Sequence, residues 1–203
     1  MNKRWIALLG LLAATVTTTA SAQAAGDWWV RARAVNLDSA NKDTTGLDLN
    51  VNNKVIPEVD ISYFFTPNIA AELILTIPQK HTLYAGDAKI GTLKHLPPTL
   101  TAQYHFTPGA AIRPYVGAGI NLTLFSGVEF EPAVVTALNP SIKKSSVGLA
   151  LQAGVDFELS KTMTLNLDVK KVQIGTDVKS NGTKVGEFKV DPVLLGVGVG
   201  FKF

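Results

Sequence analysis

The sequence predicts an all-β chain: an eight-stranded antiparallel transmembrane β-barrel with short periplasmic turns and longer extracellular loops. Three observations predict it. Apolar residues alternate with small or polar ones along most of the chain, the period-two mark of strands with one greasy face. Charged residues make up 17% of the 203 residues and mean hydropathy is +0.20, against a charged share of about 25% in soluble domains. Yet only the N-terminal stretch approaches a membrane helix, which needs about 20 apolar residues. A helical bundle and a disordered chain are thereby excluded. The absence of cysteine excludes a disulfide framework and any thiolate metal site.

Residues 1–24 read as a cleaved secretory signal peptide. Lys3 and Arg4 precede an uncharged run, Trp5–Val16, and small residues follow, ending in Ala20-Ser21-Ala22 and Ala22-Gln23-Ala24. A positive start, a short apolar run and an A-x-A site are the parts of such a signal. Cleavage is expected after Ala24, with Ala22 as the alternative, leaving residues 25–203 as one barrel domain. Without Lys3 and Arg4 the 19 basic residues fall to 17, against 16 acidic ones. No basic cluster points to nucleic acid.

The alternation then gives strands near 27–38, 53–66, 68–79, 94–107 and 111–126. In Val147–Leu159, Val147, Leu149, Leu151, Ala153 and Val155 share one face, while Gly148, Gln152, Gly154 and Asp156 fall on the other. Met163–Val169 repeats the pattern, and Val193–Phe203 closes the set. Connections alternate in length. Thr66-Pro67-Asn68, Thr107–Ala110 and Ser160–Thr162 are tight turns, whereas 39–52, 80–93, 127–144 and 178–186 read as long loops. Short turns on one side and long loops on the other is the layout of an outer-membrane barrel. Glycines 117, 119, 148, 154, 196, 198 and 200 all fall on the second face, which suits a crowded bore better than the water-facing side of a sandwich. Trp28, Tyr63, Phe65, Tyr104, Phe106, Phe157, Phe201 and Phe203 lie near the short turns, as an interfacial girdle.

Several segments resemble the OmpW family of outer-membrane proteins. They are Asp60-Ile61-Ser62-Tyr63-Phe64, Lys94-His95-Leu96-Pro97-Pro98-Thr99, Arg113-Pro114-Tyr115-Val116-Gly117-Ala118-Gly119-Ile120-Asn121, Gly154-Val155-Asp156 and Val190-Asp191-Pro192. The likeness runs through the mature chain in order. It implies an eight-stranded barrel that passes small hydrophobic molecules across the outer membrane; some members are associated with alkane uptake. Members often carry Trp at the start of the sixth strand, where this chain has Val147, which argues against an aromatic gate there.

Projected inward, the alternation places Arg31, Arg33, Glu58, Asp60, Glu72, Arg113, Asp156, Glu158, Asp168, Lys170 and Lys202 in the bore. Buried unpaired charges cost several kcal/mol each, so these are expected to interlock as a floor toward the periplasm, joined by His105. The outer half reads as apolar or small, with Val35, Leu37, Ile56, Ile74, Thr76, Pro78, Pro97, Gly148, Ala150 and Leu194. Leu37, Ile56, Ile74, Thr76, Pro97 and Leu194 are the expected lining of a hydrophobic cup. Pro57, Pro78, Pro97 and Pro98 lack the N–H of a ladder; they either weaken the wall for lateral exit or mark bulges at the rim. Val134, Val135, Ala137 and Leu138 make loop 127–144 apolar enough to cap the cup.

The expected function is passive movement of small hydrophobic solutes, without cofactor or metal. A sealed structural barrel whose loops contact partners is the alternative. An enzyme modifying lipids is the third reading; it needs a base beside a nucleophile. His81 falls in an expected loop; His95, near the outer rim, could in principle face lipid headgroups, but no Ser stands at fixed spacing to it and it reads as a loop or lumen polar residue. The expected partners are outer-membrane lipids, hydrophobic solutes and, through the terminal aromatic Phe203, the outer-membrane assembly machinery.

Overall fold

The computed structural model describes residues 23–203; nearly all of the expected signal peptide lies outside the described residues. Eight strands form the wall: β1 Trp28–Asp38, β2 Lys54–Phe64, β3 Ile69–Thr76, β4 Thr99–His105, β5 Ile112–Phe130, β6 Ser145–Ser160, β7 Met163–Val172 and β8 Val193–Lys202. Each pairs antiparallel with the next, and β8 pairs with β1 to close the ring. Closure leaves the paired strands no free edge, which is what lets strands sit in lipid. The short turns, 65–68, 106–111 and 161–162, lie at one end together with Trp28 and Phe203, whose N–H donates to the Trp28 carbonyl at 2.9 Å.

The outer surface is an apolar belt. Val59, Ile61, Leu73, Leu100, Val116, Ile120, Leu151, Leu167 and Val197 are all exposed, far more contiguous apolar surface than a water-soluble monomer shows. Below it the girdle stacks edge on edge: Trp28 on Tyr63 at 4.9 Å, Tyr63 on Phe65 at 5.0 Å, Tyr104 on Phe106 at 5.2 Å.

The long connections depart from the sequence reading. They are built, not loose. Gln79–Ala85 and Ala88–Leu96 form a hairpin that carries the wall upward beside β5, and Leu49–Val51 adds to its edge. Lys42–Asp43, Pro140–Ile142, Gly175–Ser180 and Thr183–Lys189 make a second small sheet. One helix, α1 (Pro132–Leu138), lies between them in sequence. Lys42–Asp43, Leu49–Val51 and Pro140–Ile142 are only two or three residues long, too short for periodicity to separate them from loop. Asn181-Gly182 does carry a local signal, since both residues have positive φ and this pair favours two-residue hairpin turns.

Small residues on the inner face make room for large ones opposite. A β-carbon at Gly154 would strike the Tyr115 ring, and one at Gly198 would strike the backbone and side chain of Arg33 and the Ala32 carbonyl. Gly198→Val is therefore expected to cost about 1–3 kcal/mol by overpacking, measured as a lower midpoint of urea unfolding in lipid vesicles.

Candidate functional site

The bore is filled in layers set by the strand register. The lowest layer is aromatic: Trp29, Phe64 and Ala70 cluster there. His105 packs edge-on to Phe64 at 4.9 Å and stacks on Tyr115 at 5.0 Å. Its Nε2 meets Gln103 Oε1 at 3.1 Å, so it joins a polar and aromatic layer instead of the ion-pair network expected from sequence.

Above that layer sit the charges. Arg31 lies opposite Asp60 across β1 and β2, and Arg33 opposite Glu58. The Arg31 guanidinium reaches Asp60 at 3.1 Å and Asp156 at 2.9 Å. Arg33 bonds Glu58 at 2.9 Å and Glu72 at 3.1 Å. Lys170 bridges Glu58 at 2.7 Å and Asp168 at 2.9 Å. Neutral groups fill the remaining valences. Gln103 and Thr101 donate to Glu72, Gln152 and Tyr115 donate to Asp168, and Asn166 donates to Asp156. Arg31, Asp60 and Glu72 are each 0% exposed, so water has no access to them and the bore is shut at their height. Thr101, Gln103, Tyr115, Gln152 and Asn166 were absent from the sequence-derived floor, although each falls on the inward side of its strand's alternation.

Three of the expected floor residues stand apart. Arg113 pairs with Glu158 at 2.8 Å, and its guanidinium lies over the Trp29 ring at 5.2 Å, below the main network. Lys202 pairs with Asp27 at 2.7 Å, so it belongs to the periplasmic rim; alternation turns both residues inward but does not report that they pair.

One register step above Arg33 and Glu58 the bore turns apolar, with Val35 opposite Ile56. A lower cavity of about 20 Å³ is lined there by Leu37, Ile56, Ile74, Thr76, Pro97 and Leu194, with Leu75, His95, Thr99 and Asn121 and, from beneath, Glu58 and Lys170. All six residues expected to line a cup thus border one space. Pro78 does not; both Ile77 and Pro78 face outward, which breaks the alternation at this point. Higher, an upper cavity of about 70 Å³ is lined by Leu49, Leu83, Leu93, Phe130, Leu138, Val178 and Phe188, with Val134 of α1. Residues 127–144, read from sequence as a cap, thus contribute Val134 and Leu138, whereas Val135 is exposed.

The two histidines expected in a loop and at the rim lie between these spaces. His81 and His95 are buried and stacked, ring centroids 4.7 Å apart. His95 therefore faces the bore and not the headgroups. Leu96-Pro97-Pro98 interrupts the strand without shifting phase, so Leu93, His95, Pro97 and Thr99 all fall on the inward side. Among the described residues no three His, Asp or Glu side chains are grouped to hold a metal ion.

The loop that brings Leu47 and Leu49 to the upper cavity is organised by Asp43. Its carboxylate accepts the Thr45 N–H at 2.9 Å and the Leu47 and Leu49 N–H groups at 3.2 Å each. Partial burial pushes this carboxyl up, but those hydrogen bonds, with that of the Thr45 hydroxyl, outweigh it and hold it below the usual carboxylate range.

A closed antiparallel ring with a lipid-facing belt, an aromatic girdle and a satisfied polar interior defines an outer-membrane β-barrel. The match to a known family is equally direct. The chain belongs to the OmpW family, whose pattern it matches over residues 24–203. It is 38% identical over 186 residues to the uncharacterised outer-membrane protein y4mB of Sinorhizobium fredii, covering 87% of this chain and 80% of that one. It is 35% identical over 139 residues to outer membrane protein W of Vibrio cholerae, covering 63% and 64%. Among solved structures it is similar to OprG of Pseudomonas aeruginosa, with a TM-score of 0.78 at 26% identity over 91% of this chain and 99% of that one.

Two predictions follow from the layers. Arg31→Ala leaves Asp156 without a cation in a closed interior, while Asp60 keeps Arg33, and is expected to cost about 3–5 kcal/mol, read from urea unfolding in vesicles. The bonds to Asp43 are intact above the ordinary carboxylate range and are lost as pH falls through its depressed folded value. Limited proteolysis between residues 39 and 53 should therefore be slow at neutral pH, accelerate on strong acidification, and be fast at neutral pH in Asp43→Ala.

Proposed function

We propose that this barrel carries small hydrophobic molecules inward across the outer membrane, passively, through the two apolar cavities and out sideways into the membrane above the charged plug. The observation that carries the reading is the position of the lower cavity. Leu75 borders it and is also 40% exposed on the lipid-facing surface. The wall is interrupted at that height. Pairing of β3 with β4 ends at Ile74 opposite Thr99, and Ile77-Pro78 and Pro97-Pro98 separate these strands from the hairpin above. Without ladder hydrogen bonds, parting the wall there costs little beyond side-chain contacts.

A second interruption, between the upper part of β6 and the residues after β7, supports exit less well. Its lining includes Ser146, Gln173, Lys189 and Asp191, groups an alkane would have to desolvate. The closed plug favours a second reading, a sealed structural barrel, unless the side route operates. The transport reading is non-enzymatic: with its imidazole turned into the bore, His95 is poorly placed to act on lipid headgroups. Lipid acyl chains against the belt and apolar solutes in the cavities are the partners this reading requires.

Uptake of a labelled alkane into vesicles is expected to rise when the barrel is present. Ile56→Asp or Leu194→Asp, which sets a carboxylate in the lower cavity, should return it to the protein-free level. Equal uptake with and without the wild-type barrel would leave the sealed reading.

A further inference from the structure

The passage described above is apolar except at its waist. On the hairpin, Leu83 and Leu93 border the upper cavity, and His81 and His95 follow one inward step lower. His95 is 3% exposed and borders the lower cavity, yet its Nε2 has no hydrogen-bond partner. The other polar residues lining that cavity are engaged. Asn121 donates to Thr99 Oγ1 at 2.8 Å and to the Pro97 carbonyl at 3.2 Å. Thr76 donates to the Pro57 carbonyl at 2.5 Å, and Lys170 pairs with Glu58. Of the side chains bordering this space, His95 alone holds a buried polar atom without a partner.

Its neighbour repeats the pattern. His81 Nδ1 lies 3.1 Å from the Asn52 carbonyl oxygen, which can only accept, so that nitrogen donates; Nε2 is left buried and unpartnered. Buried atoms without a partner also occur lower in the bore, at Trp29 Nε1, His105 Nδ1 and Thr164 Oγ1, but only the two stacked histidines lie between cavities; an atom so placed calls for a ligand group, because a buried polar atom without a partner costs about 1–3 kcal/mol. The lower space of about 20 Å³ admits roughly one oxygen-sized group at a time.

We infer that the His81–His95 waist is a headgroup site for uncharged hydrophobic molecules bearing a hydroxyl, such as a medium-chain alcohol. The oxygen sits against His95 and the alkyl chain lies in the upper cavity. A hydroxyl both donates and accepts, so it satisfies an imidazole nitrogen in either tautomer. An alkane satisfies neither, and a carboxylate would lose its hydration against a single nitrogen. The inference rests on the uptake reading for its use and names a preferred solute class within it.

The test takes the full mature chain, folded in micelles with ¹⁵N-labelled histidine, and titrates 1-octanol, octane and octanoate to equal micelle loading. 1-Octanol should shift the His95 imidazole ¹⁵N resonances, while octane and octanoate leave them in place. In vesicles, His95→Leu should lower the preference for 1-octanol over octane about fivefold, the worth of one neutral hydrogen bond. His95→Gln, which keeps a donor and an acceptor, should retain most of that preference and serves if the leucine variant does not fold. Equal shifts with octane, or a preference unchanged in His95→Leu, would overturn the site. If wild-type vesicles take up neither solute beyond the protein-free level, the uptake reading fails, and the micelle titration still decides the site.

Discussion

Two guanidinium groups shut this barrel. Arg31 and Arg33 stand on one strand and are bonded by carboxylates from β2, β3, β6 and β7. In an interior closed to water, neither sign is tolerable without the other, so the strands must close in one register for either to be buried. The glycines of β8 are the counterpart of that choice. Gly196, Gly198 and Gly200 face the two arginine stems, and a β-carbon at Gly198 would collide with Arg33 and one at Gly200 would crowd Arg31. The network fixes shape as much as it fixes charge.

The same register sets the boundary on which function turns. One residue pair separates Arg33 and Glu58 from Val35 and Ile56, so the change from charged plug to apolar cup is abrupt. On the uptake proposed above, a solute entering from outside would meet Leu, Val and Phe side chains, then two imidazoles, then a small cavity whose floor is Glu58 and Lys170. Going further along the axis would mean breaking buried ion pairs. Going sideways would mean parting the wall where residues 75–78 face 96–98, between the pairs Ile74–Thr99 and Gln79–His95.

Much of this was legible in the residues, because a barrel in lipid has only two environments and strict alternation reports which one each side chain meets. The alternation assigned Arg31, Asp60, Glu72 and Asp156 to the bore, and Ile56, Ile74 and Leu194 too. It failed where alternation itself lapses. Ile77 and Pro78 both face outward, which shifts the phase and takes Pro78 out of the bore. Asp27 stands on the inward phase of Arg31 and Arg33, but its pairing with Lys202 is a contact that alternation does not report. The hairpin Gln79–Leu96 turns at Gly86 and Gly175–Lys189 turns at Asn181-Gly182, both with positive φ, but the assembly of the small extracellular sheet depends on contacts among distant short segments, such as Phe188 opposite Asp43, which no local pattern encodes.

The central claim is a side exit above a closed plug, and bridging that exit tests it most directly. Cysteines replacing Thr76 and Pro97 would be next to face each other beyond Ile74 and Thr99 on the β3–β4 register, in a chain with no cysteine of its own. Joined by a bis-maleimide, the barrel should stay folded and lose alkane uptake, while the same cysteines capped singly with N-ethylmaleimide retain it. Uptake that continues undiminished through the bridged barrel would contradict the account.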